Sequence, residues 1–144
     1  MKRFLFLLVA AVLILGGCEK VDYSDVTPTL NAIETIYIQR TNIDENNEYT
    51  YYEKVIDDAA QIEAFCARID KLGFVSIDPI EFNSVDYLIV FAGPKNHKIL
   101  FSGDQIIYDG KANQLHKGTL IDKIGSIYAQ IETQEVLAES RLFR

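Results

Sequence analysis

The stretch VDYLIVF, residues 85–91, is the most strongly β-forming run of the chain and predicts a central strand. Turn residues follow it at 92–97 (AGPKNH), and the segments 98–102 (KILFS) and 105–108 (QIIY) are again typical of strands. Gly103 and Asp104 between these two segments indicate a tight turn. The three runs therefore predict an antiparallel meander.

Two further strands are expected before this meander. Residues 33–39 (IETIYIQ) and 49–56 (YTYYEKVI) are rich in β-branched and aromatic side chains. The polar residues 41–47 between them fit the loop of a hairpin.

An amphipathic helix is predicted over residues 57–72, because apolar side chains recur there at intervals of three and four. Asp57 or Asp58 can cap its first turn, and Gly73 can end it in the left-handed conformation. The apolar positions are Ile62, Phe65, Cys66, Ile69 and Leu72.

A second helix is predicted near the C-terminus, where Thr119 can act as the cap. Between the two helices, residues 74–77 and 80–82 flank Asp78-Pro79 and predict an edge strand or irregular segment, since proline cannot donate to a sheet. Residues 109–118 are predicted as a polar loop. The helical spacing is held by Leu120, Ile121, Ile124, Ile127, Tyr128 and Ile131.

The expected order is β-β-α-β-β-β-β-α, which is typical of an α+β fold: an antiparallel β-sheet with two helices packed on one face. The chain has 144 residues, of which 49% are hydrophobic and 24% charged. These values are ordinary for a folded protein, and the length favours one domain. We place that single α+β domain at residues 30–144.

The N-terminus has the organisation of an export signal. Lys2 and Arg3 precede an apolar run at 4–15, and residues 15–18 are Leu-Gly-Gly-Cys. This stretch resembles a bacterial lipobox, which implies that Cys18 is lipidated and that residues 1–17 are a signal peptide removed on processing. The alternative is an uncleaved transmembrane anchor, but the apolar run is shorter than the roughly 20 residues that a span requires.

Residues 18–29 are predicted to be the lipidated N-terminus and a short tether, because 19–28 (EKVDYSDVTP) lack apolar periodicity. The expected location is the extracytoplasmic face of a cell membrane: the outer surface in a single-membrane bacterium, or either membrane of a double-membrane one. The net charge of −7 argues against nucleic acid as a partner. An anionic membrane would repel this charge, so the lipid has to hold the protein.

Beyond the lipobox, the chain resembles small Gram-positive cell-surface lipoproteins, a family without an established activity. The resemblance includes the helix residues Asp58, Ile62 and Phe65, the strand 86–91 (DYLIVF) and residues 106–111 (IIYDGK). It implies architecture and location, and only Cys18 has an implied role.

No catalytic motif or cofactor motif is found, so we expect no enzyme activity and no cofactor. The two histidines, His97 and His116, do not form a metal-spaced pair. Cys66 lies on the apolar helix stripe and is expected to be buried and unreactive, although a Cys18–Cys66 disulfide competes if Cys18 is not lipidated.

One acidic loop has spacing that suits calcium. Oxygen-bearing side chains occupy positions 1, 3, 5, 7 and 12 of the window 42–53, but position 6 is Asn47 instead of glycine, and strands instead of helices flank the window. The alternative is a solvated hairpin loop. The candidate metal ligands are Asn42, Asp44, Asn46, Glu48 and Glu53.

Two functions remain open at this stage. In the first, the protein is a non-enzymatic binding or accessory module of the cell envelope, whose partner is an envelope protein or a wall polymer. To bind an anionic polymer, two groups of basic residues would have to lie at one end of the sheet. These groups are Lys95, His97 and Lys98, and Lys111, His116 and Lys117. In the second, the protein is a ligand or metal sensor that uses the 42–53 loop.

Overall fold

The structure, a computed structural model, describes residues 23–78 and 84–142. The predicted signal peptide, Cys18 and the segment 80–82 lie outside these residues. A short 3₁₀ helix at Leu30–Ala32 precedes ten elements. In chain order they are β1 (Thr35–Ile43), β2 (Tyr49–Ile56), α1 (Ala59–Asp70), β3 (Phe74–Ser76), β4 (Tyr87–Ala92), β5 (His97–Ser102), β6 (Gln105–Tyr108), β7 (Lys111–Leu115), α2 (Leu120–Ala129) and β8 (Val136–Ala138).

The strands form one eight-stranded sheet in the order β3-β7-β6-β5-β4-β1-β2-β8. Every neighbouring pair is antiparallel. The predicted α+β class and the predicted order of elements are confirmed. Strand β4 is central, as its sequence indicates, and β3 is an edge strand.

Two short strands are added to the predicted set. Residues 109–118 were expected to be a loop, but β7 occupies 111–115 within it. Asp109 (φ 47°) and Gly110 (φ 76°) form a two-residue turn in which both residues have positive φ, the geometry that best joins twisted antiparallel strands. This turn pairs β6 with β7, and Ala112 and Leu115 are buried as a result. The second addition, β8, pairs with β2.

The register gives the sheet two different faces. Ile38 pairs with Ile89 and Ile89 with Ile99, so these three side chains share one face, and all are fully buried. They belong to the same core cluster as the apolar residues of both helices, so α1 and α2 cover this side, which we call the helix face. The neighbouring residues Gln39 and Leu88 also pair and point to the opposite side, which we call the tail face.

In both helices an aspartate accepts a hydrogen bond from a backbone N–H of the first turn, but only in α1 is it the expected residue. Asp58 Oδ1 accepts a hydrogen bond from Gln61 N at 2.9 Å and caps α1. At the start of α2, Thr119 makes no side-chain capping bond. Instead Asp104, in the β5–β6 turn, accepts from Leu120 N at 2.9 Å. Neither of these described helices, of 12 and 10 residues, is long and apolar enough to span a bilayer.

The described part of the predicted tether, residues 23–29, packs against the domain. Val26 is 1% exposed and belongs to the core, and Ser24 bridges to Phe74 on the edge strand β3. Thr27 Oγ1 donates to Asp70 Oδ1 at 2.7 Å. The sequence did not indicate this packing, since a single apolar residue in a polar stretch gives no periodicity by which to recognise its burial. Contacts with the domain extend back to Tyr23, whose ring packs against His116.

Replacing the α1 cap, Asp58→Ala, should lower the free energy of unfolding by about 1 kcal/mol, because Gln61 N loses its acceptor. Urea unfolding followed by circular dichroism measures this change. Asp57→Ala is the matched control, since Asp57 is an exposed neighbour outside the cap. Equal losses in the two variants would contradict the capping role of Asp58.

Candidate functional site on the tail face

The candidate site is a polar cluster in the middle of the tail face. Gln39 of β1 pairs with Glu53 of β2, and Tyr37 pairs with Val90, which in turn pairs with Lys98 of β5. These four side chains, from β1, β2 and β5, therefore point to the same side of the sheet, with β4 lying between β1 and β5. Gln39 is 2% exposed and Glu53 5% exposed, which is unusual for polar residues on a sheet face.

The C-terminal segment 139–142, which we call the tail, lies across this cluster. Arg141 forms an ion pair with Glu53 in which both Nε and Nη2 donate to the carboxylate, the second at 3.0 Å. The guanidinium also stacks over the ring of Tyr37, 3.7 Å from its centroid. The hydrogen bond to Glu53 raises the pKa of Arg141. The Arg141 charge is therefore held by a carboxylate on one side and an aromatic face on the other.

The backbone of the tail is bound separately from its arginine side chain. Gln39 Nε2 donates to Glu139 O at 2.7 Å, and Gln39 Oε1 accepts from Arg141 N at 2.9 Å. The amide side chain of Gln39 thus pairs with one backbone C=O and one backbone N–H of the tail, as a neighbouring β-strand would. Lys98 Nζ donates to the carbonyls of Arg141 and Leu142, at 3.1 and 3.3 Å.

Apolar side chains surround these polar contacts. Leu88 pairs with Gln39, Val90 pairs with Tyr37, and both are buried on the tail face. Gln39 Nε2 also donates to Glu53 Oε2 at 3.1 Å, so the carboxylate is already oriented within the sheet. Low exposure strengthens such hydrogen bonds and makes an unpaired partner costly.

A second polar cluster lies on the helix face and anchors the start of β8. Glu135 accepts from Tyr128 Oη at 2.6 Å and from Arg40 Nη2 at 3.1 Å. These contacts, the tyrosine hydroxyl first, lower the pKa of Glu135, while burial raises the pKa of Tyr128. Lys54 Nζ donates to the carbonyls of Tyr128 and Ile131, so a cation satisfies the C-terminal end of α2.

The five candidate calcium ligands are not brought together. Asp44 Oδ1 accepts hydrogen bonds from the backbone N–H groups of Asn46 and Glu48, both at 2.8 Å, and these bonds close the hairpin loop. The bond from Glu48 N–H is the main reason why the pKa of Asp44 is lowered. Asn42 is the partner of Thr50 in the β1–β2 ladder. Glu53 lies three residues further along β2 and binds Arg141 on the tail face. In the described ranges, no three His, Cys, Asp or Glu residues are grouped so that they could hold a metal.

The histidines lie at opposite ends of the strands. His97 begins β5, with Nδ1 3.4 Å from Asp109 Oδ2, whereas His116 follows β7 and packs edge-on against Tyr23. The basic groups are divided in the same way: Lys111 is at the His97 end and Lys117 at the other, because antiparallel connections alternate between ends. A single basic patch formed by both groups is therefore absent among the described residues.

Cys66 is buried on α1, as its position in the apolar stripe predicts. Burial raises the pKa of Cys66 to about 11, so the thiol stays protonated at neutral pH.

A cavity of about 230 Å³ opens between α1 and the end of α2, and Phe65, Arg68 and Ile131 line part of it. Arg68 Nη1 donates to Gln130 Oε1 across this opening. The cavity is smaller than the roughly 300–1,000 Å³ typical of ligand pockets.

The tail-face residues were not identified from the sequence as a site. Glu53 was singled out only as a calcium ligand, and Gln39 and Arg141 were not singled out at all. A local signal did exist: Gln39 and Glu53 interrupt two β-forming runs with polar side chains. Nothing in the sequence, however, connects them to an arginine that follows Glu53 by 88 residues.

Comparisons with known proteins found no matching family model, no matching curated protein and no matching solved structure.

Removing the charge of Glu53 with Glu53→Gln should lower the free energy of unfolding by about 1.5–3 kcal/mol, because Arg141 loses its carboxylate partner. Chemical denaturation at pH 7 measures the loss. Glu48→Gln serves as the control, since Glu48 is exposed in the hairpin loop. A Glu53→Gln chain as stable as the control would mean that the ion pair contributes nothing.

Glu135 should make stability depend on pH in the acid range. Because its pKa is lowered in the folded state, its contribution is fully present above the unfolded pKa of about 4.3 and is lost as pH falls through the folded pKa. At pH 7, Glu135→Gln should be less stable than wild type by about 1 kcal/mol, a value discounted for partial exposure. Urea unfolding at pH 7 and pH 3 should show this difference shrinking at the lower pH. A difference that is constant with pH would contradict the assignment.

Proposed function

We propose that this protein is a lipid-anchored, extracytoplasmic lipoprotein that acts as a non-enzymatic binding or accessory module of the cell envelope. The anchor is a lipid on Cys18, and the signal peptide 1–17 is removed on processing. The partner is an envelope protein that the domain engages close to the membrane.

The observation that carries the proposal is the short distance along the chain between the lipobox cysteine and the folded domain. The domain starts by Tyr23, five residues after Cys18. Five residues span at most about 17 Å when fully extended. A lipid on Cys18 therefore keeps the domain next to the headgroups, where it meets only partners near the bilayer.

Electrostatics support a lipid over a charged surface as the means of attachment. The chain has a net charge of −7, and removal of the signal peptide takes away Lys2 and Arg3 but no acidic residue. The mature protein is therefore more acidic still, and anionic lipids repel it. A single acyl chain gives only marginal anchoring, whereas a lipidated N-terminus with several chains holds a protein stably.

The tail face supports a binding role. Its side chains hold an extended peptide segment through an ion pair, a ring contact and backbone hydrogen bonds. These are the contacts by which binding modules recognise peptides. A protein partner therefore fits this geometry better than a wall polymer.

Replacing Cys18 with alanine should release the protein from the membrane fraction or leave an unprocessed precursor. Fractionation of producing cells, with mass spectrometry of the mature N-terminus, measures this change. Cys66→Ala is the matched control, because its thiol is buried and the variant keeps the lipobox. A Cys18→Ala protein that is still lipidated, or a wild-type protein that carries no lipid, would overturn the proposal. Crosslinking in the same cells then tests whether a specific protein partner depends on the anchor.

A further inference from the structure

We propose that the tail face is a binding site for an extended, arginine-bearing segment of a partner protein, and that the tail occupies this site as an intramolecular competitor. This inference deepens the proposed function and rests on it only for the binding role, not for the lipid anchor.

The site belongs to the sheet, not to the tail. Its four side chains, Tyr37, Gln39, Glu53 and Lys98, are positioned by the registers of β1, β2, β4 and β5. Gln39 and Glu53 are also hydrogen-bonded to each other. All four of these side chains belong to the sheet, and the tail contributes only the ligand groups, namely its backbone and the Arg141 side chain. A segment from another protein can therefore make the same contacts.

The side-chain contacts select arginine. Glu53 receives two N–H groups from Arg141, and the flat guanidinium stacks on the ring of Tyr37. A lysine ammonium can neither bridge both carboxylate oxygens in this way nor stack as a plane. The buried carboxylate therefore discriminates between two residues of equal charge.

The hydrogen bonds from Gln39 and Lys98 to the described part of the tail are with its backbone, which every sequence carries. Gln39 binds one carbonyl and one N–H two residues apart, and Lys98 binds two successive carbonyls. Together these contacts require an extended segment of about four residues, in which the arginine is the third residue, as Arg141 is in the tail 139–142. The ligand class is thus defined by conformation and by one side chain.

Several features make the tail suited to displacement. The strand that leads into the tail, β8, pairs with β2 over only three residues, and Leu137 in that strand is 73% exposed. The Arg141 side chain of the ion pair is 29% exposed, so water can reach it from one side. Its attachment to the domain gives the tail a high effective concentration, so a partner must compete with it.

The test uses the full chain in detergent and a fluorescent peptide with the tail sequence, residues 136–144 (VLAESRLFR). Arg141→Ala weakens the internal competitor and leaves the sheet residues intact. This chain should bind the peptide at least tenfold more tightly than wild type. Adding Glu53→Gln to it should abolish the gain, and a peptide with lysine at the position of Arg141 should bind at least tenfold more weakly.

Hydrogen exchange in the wild-type chain provides a measurement that needs no variant. Saturating peptide should speed exchange in residues 136–142 and leave the core strand β4 unchanged. Equal peptide affinity in the wild-type and Arg141→Ala chains, together with unchanged exchange in the tail, would overturn the inference. Dimers that exchange tails would also overturn it, because the occupant would then be a second copy of this chain.

The outcomes for the anchor and for the peptide site are independent. Loss of lipidation leaves peptide binding in detergent unchanged. Failure of peptide binding leaves a lipid-anchored protein whose partner binds another surface.

Discussion

The antiparallel pairing of β1 with β4 is the constraint on which the rest of the structure depends. It joins the N-terminal hairpin to the meander that follows α1, and it is a pairing of strands that are not consecutive in the chain. Its register places Ile38 beside Ile89 under the helices and Gln39 beside Leu88 on the opposite face. A slip of one residue in β1 would exchange its two faces and put Gln39 into the apolar core. The alternation of β1 therefore holds the register, since β4 is apolar and buried on both faces.

The same register explains why charged residues are tolerated on both faces. On the helix face, Arg40 and Lys54 meet the end of α2 and Glu135, where carbonyls and a carboxylate neutralise them. On the tail face, Glu53 is buried at the centre of the sheet and needs a cation, which Arg141 supplies. Each polar cluster therefore fastens one end of the segment around β8. The C-terminal segment acts as a second layer over a face that the helices leave uncovered.

The sequence predicted the elements well where a local pattern carries the information. The run at 85–91 became the central strand, and the stripe of Ile62, Phe65, Cys66 and Ile69 became the buried face of α1. The Asp109-Gly110 pair was itself a turn signal, but the polar residues after it hid β7. The spacing in the 42–53 window left two interpretations open, a calcium loop and a solvated hairpin loop. Strand geometry places Glu53 in the β1–β2 ladder, away from the hairpin loop.

The sequence by itself determined the α+β class and the positions of the main strands and helices, because hydrophobic periodicity and turn residues act over a few neighbouring residues. Only the tertiary structure decided that residues 23–29 belong to the domain and that Glu53 faces Arg141. It also decided that Gln39, 102 residues before Arg141, binds the backbone of that residue. Such contacts form only when the folded sheet brings distant segments of the chain together. The physical reason is burial: Glu53 and Gln39 are removed from water, so both side chains need hydrogen-bond partners. No local sequence pattern specifies those partners.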